Sequence, residues 1–318
     1  MPDLKHYLAL DVGGTNVIAG LVDQEGRILA RRRFPTNSGR PPEEVIADMV
    51  VNLKALSGQK PGGCRPEALA VGLPGWLNQA AGLLIQAPNM PGWVNVPLAE
   101  IMSQALDLPV HLENDGNLYA LGEWLYGVGR GLDNLMVITL GTGVGGGLIL
   151  ERRLWNGSFA SAVEIGHMPL GLSGGALCGC GRRGCLETVA SATGMSRLGR
   201  EWLRSGRPSA YRGRPEDLSP RIMSELALIG DPMALHVFRE AGLALGQILS
   251  GIFNLLGLEA LVIGGGAAGA FDFIRPSLWE VFSERLIVTE PSRVKLFKGG
   301  LGEDAPLAGA AALLRKHY

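Results

Sequence analysis

Three sets of residues in this chain have the types and spacing to do chemistry. His167, Cys178, Cys180 and Cys185 fall within one short glycine-rich stretch and form a Cys₃His set. Zinc takes such ligands tetrahedrally, and a site closed by four protein ligands is structural. A disulfide or redox pair is the competing reading, although Cys-x-Cys is too tight for an easy bridge. Cys64, alone in a Pro/Gly loop, reads as incidental. Glu164 and Glu187 lie just outside the cluster, where a metal-braced loop would hold both carboxylates ready to bind hydroxyls.

The second set is acidic. Asp11 ends an apolar strand and opens Asp11-Val-Gly-Gly-Thr15, a strand–glycine–strand pattern. A turn of this kind can aim successive backbone N–H groups at a phosphate, and a strand-end carboxylate can hold Mg²⁺ directly or through water. A plain β-turn is the alternative. Asp115 lies where the strand Val110–Leu112 gives way to the helix Leu118–Tyr126. Two readings stand there: a helix cap, or a general base that accepts a hydroxyl proton in a transfer reaction.

The third set is Leu135–Ile149, where apolar runs flank Gly141, Gly143, Gly145, Gly146 and Gly147. It contains G-x-G-x-x-G, the dinucleotide fingerprint. A dinucleotide site needs a helix after the glycines to carry the pyrophosphate. Here the chain continues as a second strand, so the stretch reads as a hairpin. Gly264–Gly269 is another match, with a possible helix behind it and Glu280 or Glu284 as conceivable ribose acids; glycines packing against an adenine are the competing reading.

The elements that must position these groups follow from periodicity. Strands are expected at Tyr7–Leu10, Asn16–Val22, Arg27–Phe34 and Ala68–Val71 in the first half, and at Leu261–Ile263 and Val294–Phe297 in the second. Helices are expected at Pro42–Leu56, Leu98–Leu106, Thr188–Leu203, Arg221–Ile229, Pro232–Leu256 and Asp304–Leu314. Gln86–Trp93 reads as a polar and aromatic loop able to line a cleft. With 318 residues the chain exceeds what one core usually fills, so two lobes are expected. A formal net charge of −1 gives no basic footprint for nucleic acid. Ala241–Leu258 is uncharged, but its glycines, Gln247, Ser250 and Asn254 favour a buried helix over a membrane span. No signal peptide is seen, which points to the cytoplasm.

Taken together these segments resemble the ROK family of sugar kinases and repressors, within the actin/hexokinase-like ATPase superfamily. The marks are DVGGT at 11–15, GLPG at 72–75, PNMPGW at 88–93, ENDGN at 113–117, TLGTGVGGG at 139–147, EIGH at 164–167, CGCGRRGCLE at 178–187 and VIGGG at 262–266. They occur in the family's order along essentially the whole chain.

The resemblance implies an α/β fold of two actin-like (ribonuclease H-like) lobes, 1–114 with 302–318 and 115–301, and a cleft for ATP and sugar between them. It implies Mg²⁺ at Asp11 and ATP phosphates at Gly13, Gly14, Thr15, Asn16, Thr142 and Gly143. Gly264, Gly265 and Gly266 would lie near the adenosine. Asp115 would be the base, and Gly75, Asn89, Asn114, Glu164, His167 and Glu187 would hold the sugar, with His167 serving zinc on its other ring nitrogen. The expected activity is ATP-dependent phosphorylation of a hexose, glucose to glucose 6-phosphate, with fructose, N-acetylmannosamine or N-acetylglucosamine as other acceptors. A homodimer or higher homo-oligomer is expected. Other classes are a sugar-responsive ROK repressor, for which no helix-turn-helix is seen before Tyr7, and a dinucleotide-dependent oxidoreductase using Gly264–Gly269. Asn16, Val163 and Gly116 stand where the family often has lysine, glycine and alanine.

Overall fold

The computed structural model describes residues 5–58, 65–87, 90–158, 163–171, 174–287 and 289–315. The first half forms β1 (His6–Val12), β2 (Asn16–Asp23), β3 (Ile28–Pro35), α1 (Pro42–Ser57), β4 (Leu69–Leu73) and three short strands, β5 (Trp76–Asn78), β6 (Leu83–Gln86) and β7 (Val94–Val96). Then come α2 (Leu98–Leu106), β8 (Val110–Asn114) and α3 (Asp115–Leu125). The second half holds β9 (Leu135–Leu140), β10 (Val144–Leu150), β11 (Arg153–Leu154), α4 (Glu187–Ala190), α5 (Ala192–Arg204) and α6 (Pro220–Leu228). It ends with α7 (Pro232–Leu256), β12 (Ala260–Gly264), α8 (Phe271–Arg285), β13 (Lys295–Lys298) and α9 (Ala305–Arg315).

One sheet runs β3-β2-β1-β4-β8 and another β11-β10-β9-β12-β13, the same plan twice. In the first, β1 pairs antiparallel with β2 and parallel with β4, and its Leu8, Ala9 and Leu10, which alternate between the two faces, are all buried. That burial is why the strand is a continuous apolar run rather than an alternating one. β3 lies at the edge, and its Arg31, Arg32 and Arg33 are exposed. β5, β6 and β7 form a small third sheet that sequence reading missed, because strands this short between turn residues carry little periodicity. Within that part of the chain Trp93 and Met90 are core residues, not cleft linings.

The chain divides into two compact units, 1–133 with 147–163 and 300–318, and 134–146 with 164–299. The expected boundary at residue 115 differs from this, because α3 packs against α9. Gly122 and Gly309 make that approach possible: a Cβ on Gly309 would overlap the Leu118 carbonyl, and one on Gly122 the Ala305 carbonyl. In the second unit Gly242 and Gly246 do the same for α7, letting the α8 backbone lie against it. The uncharged run in α7 thus faces another helix, and among the described residues no helix is long and apolar enough to cross a membrane. The helix expected over Thr188–Leu203 is broken at Ser191, whose hydroxyl caps α5 by accepting from the Gly194 N–H at 2.9 Å.

Candidate active site

In the first unit the β1–β2 turn is closed by the Gly13 N–H on the Asn16 carbonyl, 2.9 Å. The next two carbonyls turn toward the segment after β3. Thr36 Oγ1 donates to the Gly13 carbonyl at 2.6 Å and Ser38 Oγ to the Gly14 carbonyl at 3.1 Å. Because a trans peptide sets its C=O and N–H on opposite sides, the Gly14 and Thr15 amides face away from those hydroxyls, together. Gly14 and Thr15 are exposed, so the paired amides are accessible to an anion.

Asp11 precedes that turn. Burial, and next the Asp115 and Glu303 carboxylates, push its pKa up to about 7. Crowded carboxylates that resist ionising are suited to a cation, so the donor set fits Mg²⁺. Asp115 is the first residue of α3, and the cap is its neighbour: Asn114 Oδ1 accepts from the Gly116 N–H at 3.0 Å and the Asn117 N–H at 3.4 Å. Asn114 thus takes the N-cap position, and Asp115 shares its Gly116 donor. Its Oδ1 accepts the Gly116 N–H at 2.8 Å, and burial raises its pKa despite that bond. Gly72 lets β4 pass under this junction, since a Cβ there would press on Leu118 and stand 3.6 Å from the Asp115 Cα. Gly75 turns the chain at φ 96°. Asn89 lies outside the described residues, as does Cys64.

In the second unit the Gly141–Val144 turn has the same construction. The Gly141 carbonyl accepts from the Ala192 N–H at 2.8 Å and the Thr142 carbonyl from Thr193 Oγ1 at 2.9 Å. The Thr142 and Gly143 amides therefore face the opposite way. The remaining glycines serve packing. A Cβ on Gly145 would stand 2.8 Å from Thr139 Oγ1, and one on Gly147 would meet Ala120 and the Gly116 carbonyl. Gly265, at φ 87°, lies against the Leu140 backbone, where a Cβ would come within 2.7 Å of its N and O. This close packing accounts for Gly265, and the following α-helix does not begin until Phe271.

The ligand atoms of His167, Cys178, Cys180 and Cys185 all lie within 4.8 Å of one another. Cys178 Sγ is 3.6 Å from His167 Nδ1, and Cys180 Sγ is 3.8 Å from Cys185 Sγ. A zinc tetrahedron with ordinary bond lengths has edges of about 3.5 Å for S···N and about 3.8 Å for S···S. The donor set fits zinc, and the sulfurs are too far apart for a disulfide. With Nδ1 committed to the cluster, His167 Nε2 lies 3.9 Å from Glu164 Oε2, since the 3₁₀ turn Ile165–His167 stacks positions three apart. Glu187 reaches both features: Oε1 accepts from Cys178 Sγ at 3.2 Å, and Oε2 from the Val144 N–H at 3.3 Å beside Gly143.

Two site features escaped the sequence reading. Val163 sits at φ 69°, a left-handed conformation that a β-branched residue rarely adopts. The signal was the expectation, from the resemblance, of glycine at this position. The other is a buried amide–carboxylate network around Glu113, signalled only by a charged residue at a buried strand end.

The ROK family model matches residues 7–317. The glucokinase of Thermotoga maritima is 33% identical over 99% of this chain and 99% of its own. An N-acetylmannosamine kinase of Yersinia pseudotuberculosis is 31% identical over 97% of this chain and 98% of its own. A ROK family glucokinase from Streptomyces griseus, solved in complex with glucose and AMPPNP, superposes with a TM-score of 0.85 at 32% identity, covering 98% of this chain and 100% of that one.

Two expectations follow. A carboxylate whose pKa is raised in the folded state stabilises the fold below its unfolded pKa and loses that contribution as pH rises through the folded value. Without divalent cation, Asp11→Asn should therefore match the native protein near pH 4 and exceed it by on the order of 2 kcal/mol at pH 8. Thermal unfolding across that range checks it, and a gap that does not vary with pH counts against the buried charge. Separately, Val163→Gly should raise stability by about 1 kcal/mol by relieving the left-handed strain. A lower melting temperature would contradict this.

Proposed function

The chain belongs to the ROK family, and from that premise we propose that it is an ATP-dependent hexose kinase converting glucose to glucose 6-phosphate. The chemistry rests on one observation above all: Asp115, half-buried at the start of α3 beside the N-cap Asn114, has a carboxylate held above the usual aspartate range. A general base is most effective when its pKa lies near the working pH. The Gly116 N–H holds Oδ1, leaving Oδ2 to take the proton of the sugar hydroxyl. The full-length similarity to glucokinases supports glucose as the acceptor.

Phosphoryl transfer asks for alignment and charge neutralisation more than covalent help. The outward amides of Gly14, Thr15, Thr142 and Gly143 would seat phosphate oxygens, with Asn16 beside them and Gly264, Gly265 and Gly266 toward the adenosine. Mg²⁺ at Asp11 would neutralise phosphate charge. Gly75, Asn89, Asn114, Glu164, His167 Nε2 and Glu187 would hold the remaining sugar hydroxyls. Zinc on His167, Cys178, Cys180 and Cys185 would act as a cross-link that fixes His167. The same reading has the enzyme work in the cytoplasm as a homo-oligomer, as its resemblance to the family implies.

ADP release measured across glucose, mannose, fructose, N-acetylmannosamine and N-acetylglucosamine tests the reading. Glucose should give the highest kcat/KM, and Asp115→Asn should lower kcat by roughly 10²–10⁴ with a small change in glucose KM. Preference for N-acetylmannosamine would replace the acceptor, and a fully active Asp115→Asn would remove the base. Metal analysis of protein purified without chelator should find about one zinc per chain, and Cys180→Ser should lose it and melt earlier. Zinc-free native protein of full stability would exclude the metal.

A further inference from the structure

Glu113 is only 2% exposed, yet none of the roles above uses it. Its Oε1 accepts from Gln79 Nε2 at 2.6 Å, the Asn114 N–H at 2.8 Å and Asn117 Nδ2 at 2.9 Å. Oε2 accepts from Asn156 Nδ2 at 3.2 Å. The amides also bond one another, Asn117 Nδ2 to Asn156 Oδ1 at 3.1 Å and Asn156 Nδ2 to Gln79 Oε1 at 3.5 Å.

The donors come from separate segments. Gln79 follows β5, Asn156 follows β11, and Asn114 and Asn117 flank the turn from β8 into α3. One carboxylate thus grips the chain on both sides of Asp115 and ties that grip to two further segments. Burial raises the Glu113 pKa, and the amide bonds only partly offset it. Removing a carboxylate from water among neutral amides costs several kcal/mol, and apolar packing would hold a strand end more cheaply. What the carboxylate adds is direction, since bonds to its two oxygens from several sides fix orientation. A cavity of about 250 Å³, lined in part by Gln79, Glu113, His111 and Asn156, adjoins the network.

We propose that Glu113 is a positioning residue for phosphoryl transfer, orienting the β8–α3 junction so that Asn114 and Asp115 face the sugar hydroxyl. The proposal rests on the kinase reading of Asp115.

Glu113→Gln keeps the shape but puts an NH₂ where a second acceptor is needed. A small misplacement of a reacting group can cost on the order of 100-fold, so kcat should fall about 10- to 100-fold. Glucose KM should rise a few-fold and ATP KM should stay within about two-fold. Amide hydrogen exchange over residues 114–118 should accelerate about ten-fold with the rest of the chain unchanged, a readout that needs no substrate. Unchanged exchange there overturns the positioning role, as does a loss in which both KM values and the melting temperature move together. If Glu113→Gln does not fold, Gln79→Ala and Asn156→Ala, which remove one part-exposed donor each, should each accelerate the same exchange and lower kcat three- to ten-fold. Unchanged behaviour in both also overturns it. Absence of ADP release by the native chain with every hexose would instead overturn the kinase reading alone.

Discussion

A peptide cannot turn its carbonyl one way without turning its amide the other, and the candidate phosphate seats in this protein are built on that constraint. In the β1–β2 turn, the hydroxyls of Thr36 and Ser38 take the carbonyls of Gly13 and Gly14. In the β9–β10 turn, the Ala192 amide and the Thr193 hydroxyl take those of Gly141 and Thr142. Each anchor presents a pair of amides on the opposite side. The recurrence matches the repeated sheet plan, in which β1 and β9 hold equivalent places. The glycine turns need their strands to supply the register and their anchors to supply the direction.

Much of this was legible in the sequence, and the limits have physical causes. Long apolar runs such as β1 and β9, and helices with a clear buried stripe such as α1, were visible because periodicity reports burial. The Cys₃His set was visible because ligand type and spacing are themselves the chemistry. Thr36, Ser38 and Thr193 were not, since a hydroxyl bonded to a distant carbonyl leaves no local pattern. The cap at α3 shows the same limit: Asn114 and Asp115 are adjacent and chemically similar, and only the backbone decides which takes the N-cap position. Glycine counts also mislead, because Gly145 and Gly147 make room for neighbouring protein atoms.

Three departures from local preference lie near the proposed chemistry. Asp11 is a carboxylate held where it resists ionising, Glu113 a charge buried among amides, and Val163 a branched residue in a left-handed conformation. The close α3–α9 and α7–α8 contacts follow ordinary packing rules. Concentrated local violations of this kind are expected where function outweighs stability.

The bonds of Glu187 and Ala192 to one turn have a consequence for fidelity. Glu187 holds the Val144 amide, and Ala192, a few residues on, holds the Gly141 carbonyl. The turn is braced at both ends by one short stretch of chain, as a panel is by two bolts. Such a panel does not swivel. If Glu187 reads the acceptor, an ill-fitting sugar that displaces it also skews the phosphate seat, so an error in recognition becomes an error in aim. Discrimination would then appear in turnover as well as in binding, and a near-miss acceptor could occupy the site without receiving a phosphate.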